Sequence, residues 1–155
     1  MRVHIATDHA AFDVKQDLLA RLAGAGYEVV DHGAAELDPA DDYPEFIIPC
    51  AEAVVADAGS LGIVLGGSGN GEQIAANKVT GVRAALAWNP ELARLARQHN
   101  NANVVSVGGR MHTPEETWEI VRTFLDTAFP GEERHARRIA MIDAYEASGK
   151  IAPSA

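Results

Sequence analysis

The stretch IVLGGSGNGEQIAANK, Ile63 to Lys78, decides how the chain is read. It reads as a short apolar strand, a loop with four glycines among residues 66 to 71, and a helix opening near Glu72. Glycine removes the Cβ that would hold a ligand away from the main chain. Successive N–H groups in such a turn form a site for negative charge. Two familiar phosphate loops fit poorly. A dinucleotide fingerprint needs G-x-G-x-x-G, but counting from Gly67 and Gly69 the third position is Glu72. Gly66 and Gly71 have the outer spacing of a P-loop, yet Glu72 stands at the lysine position, where a carboxylate repels nucleotide phosphates. The loop offers amide donors for a developing oxyanion and a base at its end. That pairing suits removal of a proton from carbon beside a carbonyl.

Upstream, Arg2 to Thr7 is a β-rich run ending in Asp8-His9, and a helical pattern through Leu18, Leu19 and Leu22 stops near Gly24 and Gly26. Tyr27 to Asp31 is a second strand. Glu36 to Asp42 is an acidic loop, and Tyr43-Pro44 introduces a helix reaching Asp57. Downstream of the third strand, Leu61 to Leu65, the runs Val82 to Ala87 and Asn103 to Val107 also read as strands. Asn89-Pro90 combines an N-cap with proline at N1 for a helix reaching His99. Thr113-Pro114-Glu115-Glu116 carries a capping box, opening a helix that ends near Ala128. A final helix covers Glu132 to Ala147, which places one domain at residues 1–147 and a frayed tail at 148–155.

Strands that are nearly all apolar and alternate with helices predict an α/β fold, a three-layer α/β/α sandwich around a five-stranded parallel, Rossmann-like sheet. Ligands of such sheets sit beyond the carboxyl ends of the strands. Asp8-His9, Gly66 to Glu72, and Gly108-Gly109-Arg110 all fall on that edge. His99 and Asn100 end a crossover helix, which runs antiparallel to the strands and finishes at the opposite edge. To act at the glycine loop they must reach another subunit's loop. This predicts a homodimer with a shared site, and a dimer of dimers is left open.

Composition narrows the class. At 155 residues and 47% apolar content, the chain can bury a core without staples. A net charge of −9 disfavours nucleic acid, and no run is apolar enough for a membrane span, so a soluble cytoplasmic protein is expected. Cys50 is the only cysteine, which excludes an internal disulfide. His4, His9, His32, His99, His112 and His135 lack tight ligand spacing, and neither metal nor cofactor is expected.

The pieces Asp8-His9, Asp42-Tyr43-Pro44, GGSGNGEQIAANK at 66 to 78, Arg97-Gln98-His99-Asn100, Gly108-Gly109-Arg110, and Arg134-His135 with Arg137-Arg138 span nearly the whole chain. As a set they resemble the type B ribose-5-phosphate isomerase family, which also holds the galactose-6-phosphate isomerase subunits. One branch of that family carries a cysteine base where Gly66 stands here. In the other branch a glutamate of the same loop is the base, and this chain has Glu72. The resemblance implies metal-free interconversion of ribose 5-phosphate and ribulose 5-phosphate through an enediolate.

On that reading Glu72 shuttles the proton between C2 and C1, and the amides across Gly67, Gly69, Asn70 and Gly71 hold the O1/O2 charge. His99 opens the sugar ring, with Asn100 beside it and Ser68 or Asp8 assisting. Arg134 and Arg138, four apart on one helix face, join Arg110 and His9 around the phosphate. His135, Arg137 and Tyr43 read as packing or supporting groups. Another aldose phosphate as substrate, such as allose or galactose 6-phosphate, stays open, as does a non-catalytic sugar-phosphate-binding module.

Overall fold

Five apolar runs pair into one parallel sheet in the computed structural model, which describes residues 1–151. The strands are β1 (Arg2–Thr7), β2 (Glu28–Asp31), β3 (Leu61–Gly66), β4 (Ala84–Leu86) and β5 (Val104–Gly108), in the order β2-β1-β3-β5-β4. The helices are α1 (Phe12–Gly24), α2 (Pro44–Ala56), α3 (Asn70–Ala76), α4 (Pro90–Asn100), α5 (Pro114–Asp126) and α6 (Glu133–Ser148). A 3-10 turn, His9–Ala11, joins β1 to α1.

Side chains alternate across a strand, so each run feeds two cores. Val3, Ile5, Leu61, Ile63 and Leu65 pack with Leu18 and Leu22 of α1 and with Ile120 and Phe124 of α5. Ala6 and Val64, on the opposite face, pack with Ile47, Cys50 and Val54 of α2 and with Ala75 and Ala76 of α3. Both faces are covered, which explains why the strands carry so few polar residues. The helix starts follow the local signals. Asn89 Oδ1 accepts from the Leu92 amide at 2.9 Å, and the Thr113–Glu116 capping box is closed in both directions.

Several boundaries differ from the sequence expectation. Helix α3 opens earlier, at Asn70, because Gly69 takes the capping position with φ +81°. Strand β4 contracts to Ala84–Leu86, an edge strand bonded to β5 alone. Helix α6 runs one residue past the expected limit at 147. Ser148 is the last residue of α6, Gly149 caps it at φ +68°, and residues 152–155 of the expected tail lie outside the described residues. Among the described residues no helix is long and apolar enough to cross a membrane.

One buried charge ties the sheet edge to the loops that reach the site. Lys15 is 0% exposed, and its Nζ donates to both oxygens of Asp31 at 2.8 Å and to the Ala34 carbonyl at 2.6 Å. Asp31 Oδ1 also accepts from the Gly33 amide at 2.9 Å. Residues 33 and 34 in turn exchange hydrogen bonds with Thr7 at the end of β1, at 2.9 and 2.7 Å. A buried ammonium stripped of its carboxylate is costly. Asp31→Ala should therefore lower the unfolding free energy by about 3 kcal/mol in urea titrations, whereas a surface pair would contribute far less.

Candidate active site

The strand order reverses between β1 and β3, since the chain runs from β1 outward to β2 and returns on the other side of β1 as β3. Loops leaving β1 and β3 therefore diverge at their carboxyl ends, the edge at which such sheets take their ligands. The loop after β5 is bonded to the glycine loop. Gly109 and Arg110 donate their amides to the carbonyls of Gly66 and Gly67 at 2.8 and 3.1 Å. The Gly69 carbonyl accepts from Ser106 Oγ at 2.7 Å and from the Gln73 amide at 3.0 Å. Across a trans peptide the N–H points opposite to the carbonyl. With the carbonyls of Gly66 and Gly67 fixed toward β5, the following amides of Gly67 and Ser68 turn the other way. The Asn70 amide, following the pinned Gly69 carbonyl, is met by Ser68 Oγ at 3.3 Å.

Glu72 stands in the first turn of α3 and folds back onto the end of β3. A Cβ at Gly66 would fall inside the space of its carboxylate. Glu72 is 5% exposed, and this burial raises its pKa above the ordinary glutamate range; its own N–H works against the shift, and the Asp8 charge adds to it. Asp8 is itself buried and caps the 3-10 turn, accepting from the Ala10 amide at 2.9 Å. The Tyr43 ring roofs the loop, since a Cβ at Gly71 would lie 2.8 Å from Tyr43 Cζ. Ser68 Oγ is shared between the Asn70 amide and its Nδ2, at 3.3 and 3.1 Å.

A cationic corner lies beside this carboxylate. His9 Nδ1 is 2.6 Å from Asp41 Oδ1, and the His9 backbone N–H donates to the same oxygen at 3.0 Å. That bond to Asp41 raises the His9 pKa; partial burial opposes the rise, Asp8 supports it, and Arg110 opposes it. The exposed Arg110 side chain lies over the glycine loop, its nearest guanidinium nitrogen 3.7 Å from where a Gly67 Cβ would sit. Asp8, His9 and Asp41 are the one group among the described residues whose possible ligand atoms gather within 4.8 Å. In it, His9 Nδ1 and Asp41 Oδ1 are engaged with one another at 2.6 Å.

The remaining expected residues form a second group at the other edge. His99 and Asn100 end α4, antiparallel to the strands, and the His99 ring stacks on His135 of α6 at 4.3 Å between centroids. Burial lowers the pKa of His135, with His99, Arg134 and Arg138 acting in the same direction and Glu132 against it. Arg134 and Arg138 are exposed on α6 around this stack. The fold thus unites Asp8, His9, Gly67, Ser68, Gly69, Asn70, Gly71, Glu72 and Arg110, and leaves His99, Asn100, Arg134 and Arg138 apart from them. Asp41 was not foreseen. Its side chain is placed by a loop returning over His9 from 32 positions away; the doubled acid before Tyr43 was the only hint.

A family model described as Ribose/Galactose Isomerase matches residues 3–142. Ribose-5-phosphate isomerase B of Mycolicibacterium paratuberculosis is 52% identical over 153 residues, covering 99% of this chain and 96% of the relative. The Clostridium thermocellum ribose-5-phosphate isomerase B structure superposes with a TM-score of 0.92 at 39% identity, covering 97% of this chain and 100% of that one. A Mycoplasma genitalium ribose-5-phosphate isomerase B with bound ribulose-5-phosphate gives 0.91 at 41% identity, over 95% and 97%. The chain therefore belongs to the ribose/galactose isomerase family.

Proposed function

We infer that this protein interconverts ribose 5-phosphate and ribulose 5-phosphate, with Glu72 as the base. The observation that carries the mechanism is the buried Glu72 carboxylate folded against Gly66, at the head of a loop whose Gly66 and Gly67 carbonyls are bonded to the loop after β5. Glu72 takes the proton from C2 of the open-chain aldose and returns it to C1. The amides of the Gly67–Gly71 loop hold the charge that develops on O1 and O2; losing one such donor commonly costs about 3–4 kcal/mol. A carboxylate of ordinary pKa is a weak base near neutrality, and burial strengthens it.

The chain fits the glutamate branch of the family. A side chain at position 66 and a carboxylate folded back from position 72 compete for one volume, so the two bases exclude each other sterically. Ring opening and phosphate capture require the second group. His99 is the acid for the ring oxygen, with Asn100, Ser68 and Asp8 around it. Arg134 and Arg138 join Arg110 and His9 at the phosphate. The placement of His99 and α6 at the far edge supports a two-fold homodimer in which each site takes these residues from the neighbouring subunit. The names of the 52%-identical relatives favour the pentose phosphate over a hexose phosphate.

Glu72→Gln should cut kcat for ribose 5-phosphate by roughly 10²- to 10⁴-fold. The same variant should unfold at a higher temperature than the wild type near neutrality and at the same temperature below the ordinary glutamate range. A raised folded pKa means the native state holds its proton longer, so ionisation of Glu72 removes stability as pH rises. Wild-type turnover in Glu72→Gln with substrate binding intact would defeat the assignment. Gly66→Ala should lose activity comparably, because the methyl group displaces the carboxylate while φ at this position suits any residue. Mixing Glu72→Gln subunits with His99→Asn subunits should restore about one quarter of wild-type activity after random reassortment into two-fold dimers. No recovery would place the whole site within one chain.

A further inference from the structure

Asp41 lies outside the catalytic group, yet its carboxylate is committed to a single partner. One oxygen, Oδ1, receives both the backbone N–H of His9 at 3.0 Å and the ring at Nδ1, 2.6 Å away. A main-chain bond and a side-chain bond to the same atom fix the turn and the imidazole plane together. With the Nδ1 hydrogen directed at Asp41, Nε2 becomes the ring atom available to a ligand, on a side chain that is 30% exposed.

The other oxygen of Asp41 has a different environment. Oδ2 is buried with no hydrogen-bond partner among the described residues, although the Asp41 side chain is only 7% exposed. A carboxylate so poorly served by hydrogen bonds needs a full positive charge beside it. When protonated, His9 supplies that charge. Asp8 Oδ2, 3.9 Å from Nδ1, pulls in the same direction, and Arg110 from the loop after β5 pushes against it. Two carboxylates stand by Nδ1, and Arg110 is close enough for its charge to act on the ring. The arrangement suits an anion.

We propose that Asp41 is a positioning residue that never touches substrate: it locks His9 in one orientation with Nε2 outward and holds it as an imidazolium, so that His9 and Arg110 grip the phosphate end together. The proposal rests on the sugar-phosphate reading above, and it makes phosphate capture the step that weakens on the alkaline side. Ordinary histidine is neutral through much of the physiological range. With Asp41 behind it, His9 keeps its charge to higher pH, and the grip weakens as pH rises through the raised His9 pKa.

The test is Asp41→Asn, nearly isosteric and still able to fill the loop. Nitrogen-15 NMR of the imidazole in the substrate-free protein should show His9 titrating at lower pH than in the wild type and losing its single tautomer. At about pH 8 the KM for ribose 5-phosphate should rise about tenfold with a much smaller change in kcat, as loss of one charge-assisted contact predicts. The gap should narrow as pH falls through the ordinary histidine range. In a His9→Gln background, Asp41→Asn should add no further rise in KM. An unchanged His9 titration in Asp41→Asn overturns the proposal. So does an equal KM effect without His9, which would mean that Oδ2 contacts the ligand directly. If the wild type shows no isomerase turnover, the functional reading fails alone; the shift of the His9 resonances on titration with inorganic phosphate, wild type against Asp41→Asn, still decides the role of Asp41.

Discussion

A carboxylate and a missing Cβ share one volume at the end of β3. Glu72 lies against Gly66 because nothing but hydrogen extends from that Cα, and the packing around it depends on that vacancy. Gly66 is the last residue of a fully buried strand, paired with Gly108 of β5, so neither neighbour can withdraw without breaking the sheet. The loop that follows is equally constrained. Gly69 adopts a left-handed backbone and approaches Val107 and Ser106 too closely for a side chain. Its carbonyl is tied down by the Ser106 hydroxyl. Sheet, loop and helix start are one rigid piece, and rigidity is what lets amides face developing charge without reorganising.

That rigidity holds a group the protein would be more stable without. Glu72 has its pKa raised because burial disfavours its charge, and a neighbouring carboxylate, Asp8, adds to the strain. The surrounding fold supplies the compensation: two apolar cores, closed helix caps and the buried Lys15 ammonium bonded to Asp31. The other charged corner is arranged in the opposite sense. His9 is held by Asp41 so that its charge is favoured. At one edge of the sheet, then, the environment pushes a carboxyl toward basicity and an imidazole toward a lasting positive charge. One suits proton removal, the other anion capture.

Much of this was legible in the residues because it is written in local chemistry. Apolar strands announced the parallel sheet, Asn89-Pro90 and Thr113 to Glu116 announced helix starts, and the glycine spacing set the loop apart from a nucleotide fingerprint, with a carboxylate at its end. The antiparallel direction of a crossover helix was enough to place His99 at the far edge. The rest depends on tertiary approach. No periodicity reveals that Asp41, and not the adjacent Asp42, turns in toward His9, nor that Tyr43 covers Gly71. The early start of α3 follows from a left-handed Gly69 cap, which composition does not specify. Strand β4 shortened because an edge strand is fixed from one side only.

The central claim is that a buried, unusually basic Glu72 removes the substrate proton. Carbon-13 titration of the Glu72 side-chain carboxyl in the free protein, set against the acid limb of kcat/KM, tests it most directly. The account predicts one shared midpoint above the ordinary glutamate range, with activity lost as pH falls through it. A Glu72 midpoint within the ordinary range, or an acid limb that follows another group, would contradict it.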